Sequence, residues 1–374
     1  MLSPPKTYAN ALSIEVFSRT ELKIALDKQH NEMIMNNTVL VTGAAGYIGS
    51  HTLLCLIEHG YHVIALDNFS NSSPEALIRV QKICGKKIDV VDGDIRDSIL
   101  LDSIFTNNTI TAVLHFAGSK AVGESICKPL DYYANNFSGT INLCQAMEKA
   151  SVFQLVFSSS ATVYGIPNKN PISEKHPTGT PTNPYGRSKL MVEEALKDLS
   201  TSDSRWNIAL LRYFNPAGAH PSGDIGEDPK GSPNNLVPYV SKVAVGSLNK
   251  LSIYGNDYPT PDGTGIRDYI HVMDLADGHI KALNKISKLG GLHTWNLGTG
   301  EGYSVLDIVT AFEKVSGQSV SHEFVPRRPG DIAECWSDPG KALNELGWNA
   351  NRGLDEMMAD TWRWQSKNPN GYCD

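Results

Sequence analysis

The chain has few cysteines, no excess of positive charge and no long apolar segment. Its 6 cysteines among 374 residues form no Cys-x-x-Cys pair and no metal-ligand spacing, so we expect free thiols in a reducing compartment, the cytoplasm. The formal net charge of -7 is not typical of proteins that bind nucleic acid or anionic lipid. No apolar run is long enough to cross a bilayer. The sequence therefore predicts no metal, no nucleic-acid partner and no membrane partner.

The first 37 residues lack the features of targeting segments. They contain neither the apolar core nor the small-residue cleavage site of a secretory signal. The acids Glu15, Glu21, Asp27 and Glu32 are residues that a mitochondrial presequence avoids. We expect residues 1–37 to be an N-terminal extension of unknown role, either a dispensable segment or the product of an upstream start.

From Thr38 onward, short apolar segments alternate with segments of helical length. This alternation predicts right-handed βαβ crossovers and an α/β fold with a doubly wound parallel sheet of the Rossmann type. The apolar runs are nearly continuous, as expected for strands that are covered on both faces. The predicted strands are TVLVT, HVIAL, KIDVV, TAVLHF, QLVFS and IALLRYF.

The composition changes beyond Phe214, where Asn, Pro and Gly become frequent and the predicted elements shorter. We therefore expect a Rossmann domain over residues 38–214. A smaller C-terminal domain over residues 215–374 would mainly bind the substrate, with some segments returning to the first domain.

The first strand ends in the glycine-rich segment TGAAGYIGS. Gly43 permits a tight turn, Gly46 a close approach of the backbone to a pyrophosphate, and Gly49 close packing of the next helix. The N-terminus of that helix is suited to phosphate. The second strand ends in Asp67, where an acid would bond both ribose hydroxyls and repel a 2′-phosphate. The pattern predicts a site for NAD rather than NADP.

A second group of polar residues follows the fifth predicted strand. Ser160 ends that strand, and Tyr185 and Lys189 are four residues apart, on one face of a predicted helix. The pKa of tyrosine is near 10, so a positive charge is needed to make it a base at neutral pH. We expect Lys189 and the cofactor to lower the pKa of Tyr185, and Ser160 to bond the reacting oxygen.

Longer segments of the chain resemble the UDP-glucose/UDP-galactose 4-epimerases of the extended short-chain dehydrogenase/reductase superfamily. The Gly-x-x-Gly-x-x-Gly spacing is typical of that superfamily, and the resemblance covers roughly residues 38–372. The segments that carry it are TGAAGYIGSH, HFAGSKAVGES, SSSATVYG, LLRYFNPAGAHPSG, PNNLVPY, YGNDYPTPDGTGIRDYIHVMDLADGH and PRRPGD.

The resemblance implies reversible inversion at C4 of a UDP-hexose. Tyr185 would be the base, assisted by Lys189, while Ser160 and Thr162 would hold the sugar hydroxyl. C4 would be oxidised to a ketone and reduced again on its other face, with NAD retained throughout. The family usually forms homodimers through a helical bundle, for which residues 129–150 and 183–200 are the candidates.

The resemblance also implies two sets of contact residues. The cofactor set is Gly43, Gly46, Tyr47, Ile48, Gly49, Asp67, Asn68, Asp94, Ile95, Phe116, Ala117, Gly118, Lys120, Asn135, Ser160, Tyr185, Lys189 and Phe214. The arginines of the substrate set would contact the diphosphate, with Arg328 preferred to Arg327, and its aspartate would contact the ribose or uracil. The substrate set is Ser160, Tyr185, Asn215, Asn235, Leu236, Arg267, Arg328, Asp331 and Cys335.

Cys335 bears on the substrate range. The resemblance places it in the wall of the hexose pocket, where some family members have a tyrosine. A small residue there would leave room for an N-acetyl group at C2, and the competing interpretation is a small buried residue with no such role.

Three other functions compete with this one. A nucleotide-sugar 4,6-dehydratase needs an Asp-Glu pair after the central threonine, and the segment from Ala161 to Tyr164 has no carboxylate. A non-catalytic NAD-sensing protein often lacks the Tyr/Lys pair, and a sugar dehydrogenase needs an exchangeable cofactor. His271 and Asp274 receive no catalytic role; we expect Asp274 to cap or buttress the helix that follows it.

Overall fold

The computed structural model describes residues 37–231, 233–328 and 330–372. The predicted N-terminal extension therefore lies outside the described residues except for Asn37. The described strands are β1 (Thr38–Thr42), β2 (His62–Asp67), β3 (Asp89–Asp92), β4 (Ile110–His115), β5 (Gln154–Ser160), β6 (Asn207–Tyr213), β7 (Asn215–Ala217), β8 (Leu251–Tyr254), β9 (Ile266–Arg267), β10 (Tyr269–His271), β11 (Gly291–Leu297), β12 (Tyr303–Ser304), β13 (His322–Val325) and β14 (Glu334–Cys335).

The α-helices connect these strands in chain order. They are α1 (Tyr47–Glu58), α2 (Pro74–Cys84), α3 (Ser98–Asn107), α4 (Val122–Cys127), α5 (Pro129–Tyr132), α6 (Gly139–Lys149), α7 (Pro184–Ser202), α8 (Leu236–Ala244), α9 (Val272–Leu289), α10 (Val305–Ser316), α11 (Gly340–Leu346) and α12 (Leu354–Lys367). A π-helix (Tyr133–Ser138) joins α5 to α6, and a 3₁₀ helix (Ala161–Tyr164) follows β5.

The main sheet has 7 strands in the order β11-β6-β5-β4-β1-β2-β3, and every pairing in it is parallel. The predicted Rossmann-type sheet is confirmed, and each of its six predicted strands is present. The seventh strand, β11, was not predicted. It comes from the chain beyond Phe214 and pairs with β6.

Apolar cores cover both faces of this sheet. On one face, α1 and α9 contribute side chains such as Leu53 and Leu283. On the other face, α3, α6 and α7 contribute side chains such as Leu101, Leu143 and Leu196. Because both faces are covered, the strands are apolar along most of their length, which is the pattern that made them visible in the sequence.

The remaining elements form a smaller region with its own core. Helices α8, α10 and α12 surround Val240, Phe312 and Met357. Three small sheets complete this region, in the orders β10-β7, β12-β9-β14 and β13-β8. Within the described residues, no helix is both long and apolar enough to span a membrane.

The start of α9 differs from our expectation. His271 caps this helix, because its Nδ1 accepts the backbone N–H of Met273 at 3.1 Å. Asp274 lies inside the first turn, and its carboxylate accepts the backbone N–H groups of Asn351 (2.9 Å) and Arg352 (2.8 Å). Asp274 therefore anchors the loop before α12, because a carboxylate pairs with the free backbone donors that a loop offers.

Candidate functional site

The glycine-rich turn after β1 is packed so closely that side chains would not fit. Gly43 has a φ of +67°, and a Cβ there would lie 2.6 Å from the backbone nitrogen of Ala117. A Cβ on Gly49 would lie 2.1 Å from the carbonyl oxygen of Gly43. The turn leads directly into the N-terminus of α1, which gives a cradle of backbone donors suited to a diphosphate.

Asp67 lies beside this cradle at the end of β2. Its Oδ2 accepts the backbone N–H of Ala45 at 2.9 Å. Its Oδ1 accepts the N–H of Phe69 at 2.9 Å and the hydroxyl of Ser72 at 2.8 Å. The carboxylate is thereby fixed between the glycine-rich turn and the β2–α2 loop, where an acid can accept ribose hydroxyls.

Asn68 and Asp94 lie together in the structure. The Asn68 amide donates to Asp94 Oδ2 at 2.8 Å, and Arg96 pairs with the same oxygen at 2.7 Å. The hydrogen bonds from Arg96 hold the pKa of Asp94 down at about 2. The carboxylate is therefore ionised at neutral pH and available as an acceptor beside β2 and β3.

The segment after β4 joins the glycine-rich turn to the Tyr/Lys pair. Phe116 donates its N–H to the Thr42 carbonyl oxygen at 3.0 Å, which holds this segment against β1. A Cβ on Gly118 would lie 3.6 Å from the Lys189 Nζ. The Asn135 amide donates to the Ser119 hydroxyl at 3.2 Å.

The other predicted cofactor residues lie around these elements. Ile48 and Phe116 pack against the core beside β1, Ile95 is buried, and Phe214 is buried at the end of β6. The hydroxyl of Tyr47 donates to the carbonyl oxygen of Gly218 at 2.6 Å, across to the second half of the chain.

Ser160, Thr162, Tyr185 and Lys189 come from β5, the 3₁₀ helix and the first two turns of α7. Ser160 Oγ accepts both the hydroxyl of Thr162, at 2.9 Å, and its backbone N–H, at 3.2 Å. The buried Lys189 donates from Nζ to the carbonyl oxygen of Ser158 at 2.7 Å. These side chains lie at the carboxyl end of the central strands, the edge at which sheets of this class bind ligands.

Burial has the largest effect on the ionisation of the Tyr/Lys pair. Burial raises the pKa of Tyr185 rather than lowering it, and a hydrogen bond with Ser160 and the charge of Lys120 oppose this effect. Burial also lowers the pKa of Lys189 to about 8, against the opposing charge of Glu193. In the protein without its cofactor, desolvation outweighs the nearby charges at both groups. The effect of Lys189 and the cofactor together on Tyr185 stays a prediction.

A buried ion pair lies behind these residues and was missed in the sequence. Glu193, one turn after Lys189, forms a two-pronged contact with Arg212 on β6, at 2.9 Å and 2.6 Å. The available signal was the four-residue spacing between Lys189 and Glu193. The pairing with Arg212 has no local signal, since it joins a helix to a strand.

Apart from Ser160 and Tyr185, the predicted substrate residues follow β6 in the chain. Arg328 donates to Asp331 at 3.0 Å, and its guanidinium lies 4.6 Å from the ring centre of Tyr254. Arg327 instead pairs with Asp257 at 2.7 Å. The two arginines thus differ in their partners, and Arg327 is already neutralised by an acid outside the predicted set.

Arg267 and Cys335 are paired neighbours on β9 and β14. The guanidinium of Arg267 donates to the carbonyl oxygen of the preceding residue, Ile266, at 2.8 Å. Cys335 packs against a small apolar cluster that contains Phe214, with Ala161 packed on the same cluster. Cys335 therefore lies close to the segment that presents Ser160 and Thr162.

Glu227 connects the two predicted sets of ligand contacts. Its Oε1 accepts from Lys120 Nζ at 2.8 Å and from the amide of Asn235 at 3.0 Å. Asn235 immediately precedes α8, which begins at the half-buried Leu236, and the exposed Asn215 begins β7. Glu227 had no signal in the sequence, because it is far along the chain from Lys120.

Comparison with known proteins defines first the class and then the family. A family model described as GDP-mannose 4,6 dehydratase matches residues 40–361, which is most of the chain. This broad class agrees with the parallel sheet, the glycine-rich turn and the Tyr/Lys pair.

The more similar relatives are narrower in kind. The UDP-glucose 4-epimerase of Bacillus subtilis (strain 168) is 62% identical over 334 residues, which is 89% of this chain and 98% of that protein. The crystal structure of UDP-glucose 4-epimerase from Bifidobacterium longum, in complex with NAD⁺ and UDP, is 55% identical with a TM-score of 0.88. The match covers 90% of this chain and 100% of the Bifidobacterium longum chain.

A second solved structure agrees with the first. The UDP-glucose 4-epimerase from Stenotrophomonas maltophila, with bound NAD and formylated UDP-arabinopyranose, is 48% identical with a TM-score of 0.87. The match covers 89% of this chain and 99% of the Stenotrophomonas maltophila chain. The chain belongs to the UDP-glucose 4-epimerase family, and the resemblance stated from the sequence is confirmed.

Proposed function

We propose that this chain is an NAD-dependent UDP-hexose 4-epimerase that interconverts UDP-galactose and UDP-glucose. The observation that carries the proposal is the arrangement of Ser160, Thr162, Tyr185 and Lys189 beside the glycine-rich turn. The family relationship supports it, since relatives of 56–62% identity are UDP-glucose 4-epimerases.

The described residues fit a dinucleotide. Gly43 and Gly49 permit the tight turn whose backbone N–H groups can hold a diphosphate, and Asp67 and Asp94 offer carboxylates to hydroxyl and amino groups. When bound, NAD supplies a reversible acceptor for the hydride at C4. The acid Asp67 favours a free 2′-hydroxyl over a 2′-phosphate by charge repulsion.

Tyr185 takes the proton from the 4-hydroxyl when the ketone forms and returns it when the ketone is reduced. Ser160 and Thr162 hold the same oxygen by hydrogen bonds, as their mutual contact places both hydroxyls together. Lys189 holds a positive charge within reach of this centre. Because the site is buried, each added positive charge has a larger effect on Tyr185 than it would in water.

The substrate diphosphate needs local positive charge, since the whole chain carries a formal net charge of -7. Arg267 and Arg328 supply it, and Asn235 and Asp331 offer hydrogen bonds nearby. Because the charged contacts are made to the nucleotide and not to the sugar, the ketone intermediate can turn while the nucleotide stays bound.

The activity is tested by incubating the purified protein with UDP-galactose and measuring UDP-glucose and free NADH. We expect UDP-glucose without stoichiometric NADH. A 4-keto-6-deoxy product would instead show a dehydratase, net NADH a dehydrogenase, and no turnover a binding protein. Tyr185→Phe should lose this activity. Tyr61→Phe is its matched control, because the Tyr61 hydroxyl donates to Asn284 at 2.7 Å and neither residue belongs to the predicted site.

We further propose that the N-acetylated pair, UDP-N-acetylglucosamine and UDP-N-acetylgalactosamine, is accepted. The support is the small side chain of Cys335 in the cluster with Phe214 and Ala161. A small residue there leaves volume beside the proposed hexose site.

A homodimer through α6 and α7 is also part of the proposal. An apolar groove runs between these helices, lined by residues that include Ile141, Val192 and Leu199. Met191 on α7 is 41% exposed. Light scattering should give the mass of two chains, and Met191→Glu should lower it towards one chain. Ile99→Glu is the control, since Ile99 on α3 is 82% exposed and is not among the residues that line the groove.

The cytoplasm is the proposed location. Among the described residues the cysteines are free thiols, which supports a reducing compartment: Cys55, Cys84, Cys127, Cys144 and Cys335.

A further inference from the structure

The ion pair between Glu193 and Arg212 is buried directly behind the proposed catalytic centre. The side chains of Glu193 and Arg212 are 0% and 4% exposed. Glu193 Oε1 also accepts the hydroxyl of Ser159 at 2.5 Å. With Arg212 donating to both of its oxygens, the carboxylate is fully hydrogen-bonded, which is the condition under which a buried charge is tolerated.

This pair is connected to each element that presents a proposed catalytic side chain. Ser159 immediately precedes Ser160 on β5, and Glu193 lies one turn after Lys189 on α7. The Arg212 guanidinium lies 4.7 Å from the ring centre of Tyr164, the last residue of the 3₁₀ helix. The pair therefore fixes β5, α7 and the 3₁₀ helix relative to one another.

The groups around the Lys189 ammonium determine how well its positive charge is stabilised. The buried His115 on β4 is held neutral, because burial, with a further effect of the Lys189 charge, lowers its pKa to about 3. The ring of Phe157 on β5 lies 4.9 Å from Nζ. Tyr185 lies one turn before Lys189 and Glu193 one turn after it, with Arg212 behind Glu193. Of these groups, Glu193 is the carboxylate that favours the charged lysine.

We infer that Glu193, held by Arg212, is a positioning residue for the proposed epimerase reaction. It orients Ser160 and Lys189 through β5 and α7, and its charge keeps Lys189 protonated up to the upper end of neutral pH. This inference rests on the proposed function, because it assigns Lys189 a role as a cation.

The test is the pH dependence of kcat in Glu193→Gln, which retains an acceptor for Ser159 and removes the charge. Loss of a neighbouring carboxylate lowers the pH at which Lys189 loses its proton. We expect the alkaline fall of kcat to move down by about one pH unit, with kcat about fivefold lower at pH 8, approaching about tenfold at higher pH, and KM changed less than about threefold. Glu174→Gln is the matched control, since Glu174 is a partly buried acid that accepts the backbone N–H of Asn296, at 2.7 Å.

A second variant covers the case in which Glu193→Gln does not fold. Glu193→Leu combined with Arg212→Met replaces the ion pair by apolar groups of similar volume, a change that other proteins tolerate. This double variant should fold and show a smaller shift of the alkaline limb in the same direction, because the charge of Arg212, which lies behind Glu193, is lost as well. An unshifted limb in either folded variant would overturn the inference and leave the pair a purely structural role.

Lysine-selective ¹³C NMR makes the result independent of turnover. The Lys189 signal is assigned by its loss in Lys189→Met, and its titration is followed in wild type and Glu193→Gln. A lower titration point in the variant supports the inference even for a protein that shows no epimerase activity. An unchanged titration point overturns it, whatever the activity.

Discussion

Replacing Cys335 by tyrosine tests the proposed substrate range. Cys335 is partly buried on the short strand β14 and packs against the cluster of Phe214 and Ala161. A phenol ring at this position has to occupy the space beside the proposed hexose site. We therefore expect Cys335→Tyr to impair the substrate that needs this space, the one with an N-acetyl group.

The size of the effect follows from packing. Inserting extra volume into a packed site costs about 1–3 kcal/mol, and every ~1.4 kcal/mol is a factor of ten in rate. The expected loss in kcat/KM on the N-acetylated pair is thus roughly five- to 150-fold. Loss on UDP-galactose should be less than about twofold, since its smaller C2 hydroxyl leaves the added ring room.

The assay is kcat/KM on both substrate pairs for wild type, Cys335→Tyr and the control Cys127→Tyr. Cys127 is exposed on α4, so the same substitution there adds a ring without crowding the cluster. Wild type that is inactive on the N-acetylated sugars would refute the reasoning. An equal loss on both pairs would mean that the ring damages the site in general.

Other predictions concern the cofactor and the Tyr/Lys pair. Tyr185→Phe should lower kcat by roughly 10²–10⁴-fold with UDP affinity by calorimetry nearly unchanged, and a near-normal rate would remove Tyr185 from the chemistry. Asp67→Ala should release NAD during dialysis, where wild type retains it, and should reduce discrimination against NADP; normal NAD retention would contradict the ribose assignment. Lys189→Met should abolish activity yet raise the free energy of unfolding at pH 7 by about 1–3 kcal/mol, since it removes a buried ammonium. Activity should fall above about pH 8, where Lys189 loses its proton. Because this pKa is lower in the folded than in the unfolded protein, the stability contributed by Lys189 should rise over the same alkaline range in denaturant titrations.

The sheet was predictable because its signal is local. Strands such as β1 and β6 are buried on both faces, for example at Val39–Val41 and Leu210–Leu211, so continuous apolar runs mark them in the sequence. Strand β11 was missed because its first four residues are only partly buried and it lies in a part of the chain with irregular composition. Its place beside β6 depends on pairing with a strand distant in the sequence, which no local pattern records.

Motifs in the sequence predicted the site residues, whereas no motif records how far burial shifts their pKa values. The sequence predicted Tyr185 and Lys189 on one face of a helix. Burial affects both pKa values more than the neighbouring charges do, so the pKa of Tyr185 is raised and that of Lys189 is lowered. Glu193 and Glu227 were missed for a related reason. Their partners, Arg212 and Lys120, reach them only through the tertiary fold.

The position of β11 has a consequence for synthesis of the chain. All seven residues of β11 pair with β6, from Gly291 opposite Asn207 to Leu297 opposite Tyr213. Until Leu297 has left the ribosome, β6 is an apolar edge strand with unpaired backbone groups, a template for pairing with other chains. A fragment ending at Phe214 would keep that edge permanently and should aggregate. The sheet can therefore be completed only after β11 has been made, so the nascent chain is prone to aggregation during this interval.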